Sequence, residues 1–170
     1  MILILTGPPA AGKSTLGPLI AKQLERCAVI DVDRVRLMVA QPHVPPWRGE
    51  EGMQQLRLGA ENACLLAHNF RKAGFHVVIL DVLTAETAEI YRNNLAPLEH
   101  QIVLLLPTLE HSLQRNQTRG QWLTDEEVRL LYTWEEQLDE YDRKIDNSHI
   151  SAEELALELA GLFRCEKGLY

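Results

Sequence analysis

Apolar residues come in short unbroken runs along this chain, and between the runs they recur at helical spacing. The runs are Met1–Leu5, Cys27–Asp33 closing on two carboxylates, Phe75–Asp81, Gln101–Leu106 closed by Pro107, and a brief Ile145-Asp146. A short run that is apolar at nearly every position reads as a strand buried on both faces.

The intervals predict helices. Leu16, Leu19, Ile20 and Leu24 mark the first, and Arg34–Ala40 a short second. Gln41–Gly49 holds three prolines and reads as irregular. From Glu50 to Ala73 the apolar positions Met53, Leu56, Ala60, Ala63, Cys64, Ala67 and Phe70 keep near-helical spacing, and Gly74 is the stop. Helices are also expected over Ala85–Leu95 and Leu109–Thr118, with Arg119–Trp122 as a loop. Thr124-Asp-Glu-Glu127 is a capping box opening a helix to about Tyr141. Ser151–Glu154 caps a last helix that turns Leu155, Leu159, Leu162 and Phe163 inward, and Arg164–Tyr170 is expected to fray. In the first helix Pro18 would forfeit a bond to the Ser14 carbonyl, so a local bend is expected there. Strands alternating with helices imply a parallel sheet covered on both faces, with ligands at the carboxyl ends of the strands. Thr6, Gly7, Asp31, Asp33, Asp81 and Asn147 all fall at such ends and should meet in one cleft.

Composition narrows the class. At 170 residues the chain suits one domain, 1–170, with a real core. A net charge of −7 argues against general nucleic-acid or membrane-surface binding. No apolar run reaches the ~20 residues of a membrane span. Residues 1–6 are too short for a signal peptide and are needed as a strand. Cys27, Cys64 and Cys165 lack C-x-x-C spacing and fit reduced thiols in the cytoplasm. Oligomeric state is left open.

The chemistry starts at Gly7-Pro8-Pro9-Ala10-Ala11-Gly12-Lys13-Ser14-Thr15, which is G-x-x-x-x-G-K-S between a strand and a helix. This is the P-loop in the context it requires. Gly7 allows the turn, Gly12 the approach of backbone N–H groups to phosphate, and the helix N-terminus completes an anion site. Lys13 would reach the β- and γ-phosphates, the Ser14 hydroxyl would ligate Mg²⁺, and Thr15 would contact the α-phosphate. The bland alternative is a glycine turn joining strand to helix.

Asp31 and Asp33 can take a proton from an attacking hydroxyl or support Mg²⁺ through water. We assign Asp33 as base and Asp31 as metal support; the reverse stays open, and Asp33 could instead only cap the helix at Arg34. Asp81 has the Walker-B position and is a candidate near Mg²⁺, with a loop cap as its alternative. Arg115 and Arg119 share a helix face, where an anion between them would relieve their repulsion. A solvated face is the alternative, and Arg115 could also stack on adenine. Pro45-Pro46-Trp47 and Arg48 form a stiff loop that suits a lid over a small acceptor, or Trp47 a plain hydrophobic plug, and His43 could line the pocket.

On Gly7–Thr15, Val32-Asp33, Val78–Asp81, Arg115-x-x-x-Arg119-Gly120 and Tyr141-Asp142 followed by Ile145–His149, the chain resembles small P-loop kinases of the type that includes chloramphenicol phosphotransferase. It resembles gluconate and shikimate kinases more distantly. The resemblance implies a P-loop NTPase fold, three-layer α/β/α, with a five-stranded parallel sheet and a helical lid near 107–125, facing an acceptor-side segment near 34–73. It implies transfer of the ATP γ-phosphate to a small-molecule hydroxyl, with ATP and Mg²⁺ as cofactors. It matches Asp33 to the catalytic carboxylate and Arg115 and Arg119 to lid arginines, with Lys13 and Arg119 absorbing charge. Nucleotide binding is expected from Gly7–Thr15, Arg115 and Asn147. The acceptor is antibiotic-, sugar acid- or sugar-like. The competing readings are a nucleotide or polynucleotide 5′-kinase and an ATP-binding regulator without an acceptor.

Overall fold

Ile2, Leu3, Ile4 and Leu5 are wholly buried, as expected of a strand covered on both sides. In this computed structural model, which describes residues 1–120 and 123–163, they belong to β1 (Ile2–Thr6) at the centre of the sheet. The chain continues through α1 (Lys13–Ala21), β2 (Cys27–Asp31), α2 (Val32–Arg36), α3 (Gly49–Lys72), β3 (His76–Leu80) and α4 (Ala85–Leu95). It then forms β4 (His100–Leu105), α5 (Leu109–Thr118), α6 (Asp125–Glu136), β5 (Arg143–Ile145) and α7 (Ala152–Gly161). The strand order is β2-β3-β1-β4-β5, with every pairing parallel. Leu5 pairs with Leu80 on one side and Val103 on the other, which brings the strand ends to one edge.

Alternation along β1 divides two cores. Leu3 and Leu5 pack with Leu16, Ile20 and Leu159 under α1 and α7. Ile2 and Ile4 pack with Ala60, Ala63 and Tyr91 under α3 and α4. Gly17 explains the tight seat of α1: a Cβ there would lie 3.0 Å from Leu80. The helix runs on through Pro18.

Four elements differ in their bounds from the sequence pattern. β2 stops at Asp31 instead of Asp33, because the Asp31 carboxylate accepts the Asp33 N–H at 3.1 Å and caps α2. α2 therefore covers Val32–Arg36 and not Arg34–Ala40, and the cap considered for Asp33 belongs to Asp31. α6 ends at Glu136, short of Tyr141: Leu138 N–H turns back to the Glu135 carbonyl, and Asp142 takes the Ile102 N–H at 2.7 Å. β5 is Arg143–Ile145, earlier than Ile145-Asp146. Gln121 and Trp122 of the expected lid loop, and the tail Arg164–Tyr170 with Cys165, lie outside the described residues.

The irregular stretch between α2 and α3 is held as firmly as a regular element. Gln55 of α3 accepts the Val44 N–H at 3.1 Å and donates to the Pro42 carbonyl at 2.8 Å. Gly52 lets α3 approach it, since a Cβ there would lie 2.2 Å from the Pro45 carbonyl oxygen. Gly52→Ala is therefore expected to destabilise the protein by roughly 1–3 kcal/mol, the usual scale of overpacking. Urea unfolding measures it, and an unchanged midpoint would refute the contact.

Burial holds the Cys27 thiol up at about 11 and the Cys64 thiol at about 12, so neither is a nucleophile near neutrality. No helix among the described residues is long and apolar enough to cross a membrane.

Candidate active site

The loop leaving β1 has the backbone that phosphate binding demands. Gly7 has φ 149°, and a Cβ on it would sit 2.3 Å from the Leu105 carbonyl oxygen. Ala10 adopts φ 62°, a left-handed conformation in a residue with a side chain, of the kind that collects at functional sites. Gly12, φ 101°, is the N-cap of α1 and supplies no side-chain cap. The first amides of α1 are thus available to an anion, with the helix dipole behind them. Lys13 folds over this loop, donating to the Gly7 carbonyl and to the Pro8 carbonyl at 3.2 Å. Burial lowers its pKa, against the pull of Glu135, Asp33 and Asp81.

Glu135 is a site residue that sequence reasoning missed. It is wholly buried near the end of α6, inside a stretch read only as an amphipathic helix. The Thr6 hydroxyl donates to its Oε1 at 2.6 Å, and the Leu83 N–H donates to the same atom at 3.0 Å. Burial raises its pKa to about 7, although Lys13, Thr6 and the amides of Leu83 and Gly7 favour its charge. The carboxylate ties α6 to the ends of β1 and β3, directly under the P-loop.

A consequence for stability follows. A carboxyl whose folded pKa lies above its unfolded value binds its proton more tightly when folded. Its contribution is full below about pH 4.5 and is lost as pH rises through about 7. The melting temperature of the wild type minus that of Glu135→Gln should therefore fall between pH 5 and 7.5. A difference independent of pH, measured by calorimetry, would refute the assignment.

The carboxylates after β2 divide their work. Asp31 caps α2 and pairs with Arg34 Nε at 3.5 Å. Asp33 has no capping duty; its side chain is 73% exposed and is held by Arg36, one turn on. Arg36 was also missed. Its guanidinium, 9% exposed, bridges Asp33 and Asp81, the latter at 3.1 Å. Gly59 of α3 makes room for it, since a Cβ there would lie 2.9 Å from Arg36 Cγ. A buried arginine three residues after an aspartate looked like an ordinary surface helix pair. Asp81 is fully buried: Arg36 and the Val82 N–H hold Oδ1, and Tyr91 donates to Oδ2 at 2.8 Å. Burial raises its pKa, opposed by Arg36.

Arg115 and Arg119 reach the P-loop by different routes. Arg119 donates to Thr15 Oγ1 at 3.3 Å, while Arg115 donates to the Asn147 carbonyl at 3.1 Å. Asn147 in turn donates to the Ala11 carbonyl at 2.8 Å, and its Oδ1 is buried without a hydrogen-bond partner among the described residues. Asn147 thus docks on the P-loop.

One cavity of about 880 Å³ joins these parts. It is lined by Pro9–Ser14 of the P-loop, by Asp31, Asp33 and Arg119, and by His43 and Trp47. Leu131 and Trp134 of α6 complete the wall, a contribution the sequence pattern did not single out. Arg48 is outside it and faces Glu127 of α6, whose carboxyl is held below its usual range mainly by the Thr124 amide. Asp81, Arg115 and Asn147 also stand behind the wall rather than in it. Among the described residues no cluster of three or more His, Cys, Asp or Glu side chains could hold a metal by itself. A P-loop magnesium site does not require one, because phosphate oxygens and the loop hydroxyl supply ligands.

No family model matches the chain, and no curated protein matches it in sequence. Solved structures do match. Shikimate kinase from Acinetobacter baumannii in complex with shikimate aligns at TM-score 0.68 and 22% identity, over 99% of this chain and 95% of that one. The tunicamycin resistance protein of Deinococcus radiodurans aligns at 0.69 and 16% identity, over 99% and 96%. An unliganded sugar kinase from a Janibacter species aligns at 0.72 and 16% identity, over 96% and 94%. The chain has the P-loop α/β fold of these structures.

Proposed function

We propose that this protein is an ATP- and Mg²⁺-dependent phosphotransferase that moves the ATP γ-phosphoryl group to a hydroxyl of a small molecule. The observation that carries the reading is that Asp33 shares one cavity with the P-loop while Asp31 does the capping. A carboxylate that a helix cap would consume is thereby available beside the phosphates.

The acceptor oxygen forms the new bond to phosphorus, the bond from phosphorus to the β–γ bridging oxygen breaks, and ADP leaves. Asp33 takes the hydroxyl proton, held in place by Arg36. The amides of Gly12 to Ser14 and the Lys13 ammonium bind the phosphate oxygens, and Arg119 meets the charge of the transferring group. Ser14 would hold Mg²⁺, with Asp31 behind it; the ion would neutralise charge on the β and γ oxygens. Asp81, with both oxygens engaged, serves as the anchor of Arg36. The segment near 107–125 excludes water when the site is filled. Arg115 and Asn147 support the nucleotide side.

The test is transfer of labelled phosphate from ATP across sugars, sugar acids, nucleosides and aryl alcohols, with Asp33→Asn beside the wild type. Transfer that the variant lacks supports the reading. Nucleotide-dependent behaviour intact in both proteins, with no transfer in either, would favour a regulator.

A further inference from the structure

The acceptor end of the cavity has a definite chemical character. Its walls are Trp47 and Val44 from the loop after α2, Leu56 of α3, and Leu131 and Trp134 of α6. These come from three separate elements, and each is held from behind. Gln55 fixes the loop at Pro42 and Val44. Trp134 directly precedes Glu135, which Thr6 and Leu83 hold at the sheet edge. Trp47 and Arg48 face Glu127 on α6, so loop and helix meet across the cavity mouth. The apolar surface is a pre-formed pocket, the usual setting for an apolar ligand body with a few orienting polar groups.

Two of the cations lining the cavity are already paired with carboxylates, and His43 lines it as well. Arg36 is bridged between Asp33 and Asp81, and Arg34 leans on Asp31 with 85% of its side chain in solvent. Arg119 directs its guanidinium at Thr15, on the donor side. A carboxylate carried by the acceptor would find Arg34 and Arg36 already paired and would meet Asp33, a charge of its own sign. Its desolvation would be poorly compensated. A polycation fares no better, because Asp31 and Asp33 are each engaged by an arginine.

We infer that the acceptor is an uncharged hydroxyl compound with an apolar, ring-bearing body, seated between Trp47 and Trp134, and that sugar acids are excluded. The inference rests on the phosphotransferase reading and specifies its substrate class. The hydroxyl faces Asp33, and the ring fills the tryptophan end.

The experiment uses three probes: phenyl β-glucoside against glucose isolates the aryl group, and glucose against gluconate sets a neutral ring against a charged, open-chain acid. Each is titrated calorimetrically into the protein saturated with Mg²⁺ and a non-hydrolysable ATP analogue. Phenyl β-glucoside is expected to bind at least tenfold more tightly than glucose, and glucose more tightly than gluconate. Trp134→Ala should cut the advantage of the aryl group to less than threefold while leaving affinity for the ATP analogue unchanged. Trp47→Ala is the second variant should Trp134→Ala fail to fold. Gluconate binding as tightly as the aryl glucoside, no binding of the aryl glucoside, or an aryl preference that survives in the folded tryptophan variants would each overturn the inference. Labelled-ATP assays on the same probes keep the two readings apart. Aryl binding that depends on Trp134, with transfer to no hydroxyl, removes the phosphotransferase reading and leaves the pocket assignment standing. Transfer to gluconate in preference to the others keeps the phosphotransferase and removes this inference.

Discussion

Asp33→Asn is expected to lower kcat by about 10²–10⁴-fold, the usual contribution of a general base, while ATP affinity stays near wild type. The contrast rests on position. Asp33 lines the same cavity as the P-loop, and its charge acts on Lys13 less than that of Glu135 does, so its neutralisation should alter nucleotide binding little. Asparagine keeps its size and leaves Arg36 the buried Asp81 partner, 3.1 Å away. Nor is α2 at risk, because the cap is Asp31. Asp31→Asn is the matched control: asparagine also caps, so the helix survives and turnover should change far less. The reverse pattern would make Asp31 the base. Wild-type turnover in Asp33→Asn, on any acceptor the transfer screen identifies, would remove Asp33 from the mechanism.

The division between Asp31 and Asp33 also marks how far the sequence could be read. Strand runs, helix spacing and the P-loop were legible because each is a local pattern whose physical cause lies within a few residues. The five strands, the caps at Thr124 and Ser151, and the stop at Gly74 stand where the pattern placed them, within a residue or two. Which aspartate caps α2 was not legible, since either spacing makes a sound cap. Arg36 and Glu135 stayed hidden for a different reason. Each looks like an ordinary charged position on an amphipathic helix, and each is buried only because a distant element meets it. Gly59 opens the way for Arg36, and Thr6 and Leu83 receive Glu135. The contribution of Trp134 to the acceptor wall follows from the same docking of α6. Hydrogen bonds spanning 45 to 129 residues leave no local period to detect.

Lys13→Ala is expected to weaken ATP binding by about 2–4 kcal/mol, the scale of a desolvated charge contact to phosphate. At 1.4 kcal/mol per decade this is roughly 30- to 700-fold in Kd. Lys13 is half-buried, and its ammonium already rests on the Gly7 and Pro8 carbonyls, so little side-chain freedom is lost when phosphate replaces them. The complication is Glu135. Removing the lysine takes away the cation that favours its charged form, and the buried carboxyl will hold its proton to higher pH. Weakened ATP binding could then arise from a disturbed Thr6–Glu135–Leu83 junction rather than from a lost phosphate contact. The double variant Lys13→Ala/Glu135→Gln separates these causes, because glutamine keeps an acceptor for Thr6 and Leu83 without a charge. If the lysine acts on phosphate, the double variant should bind ATP as weakly as Lys13→Ala alone. Recovery of affinity in the double variant would assign the defect to the stranded carboxyl, and unchanged affinity in Lys13→Ala itself would take the lysine out of the nucleotide site.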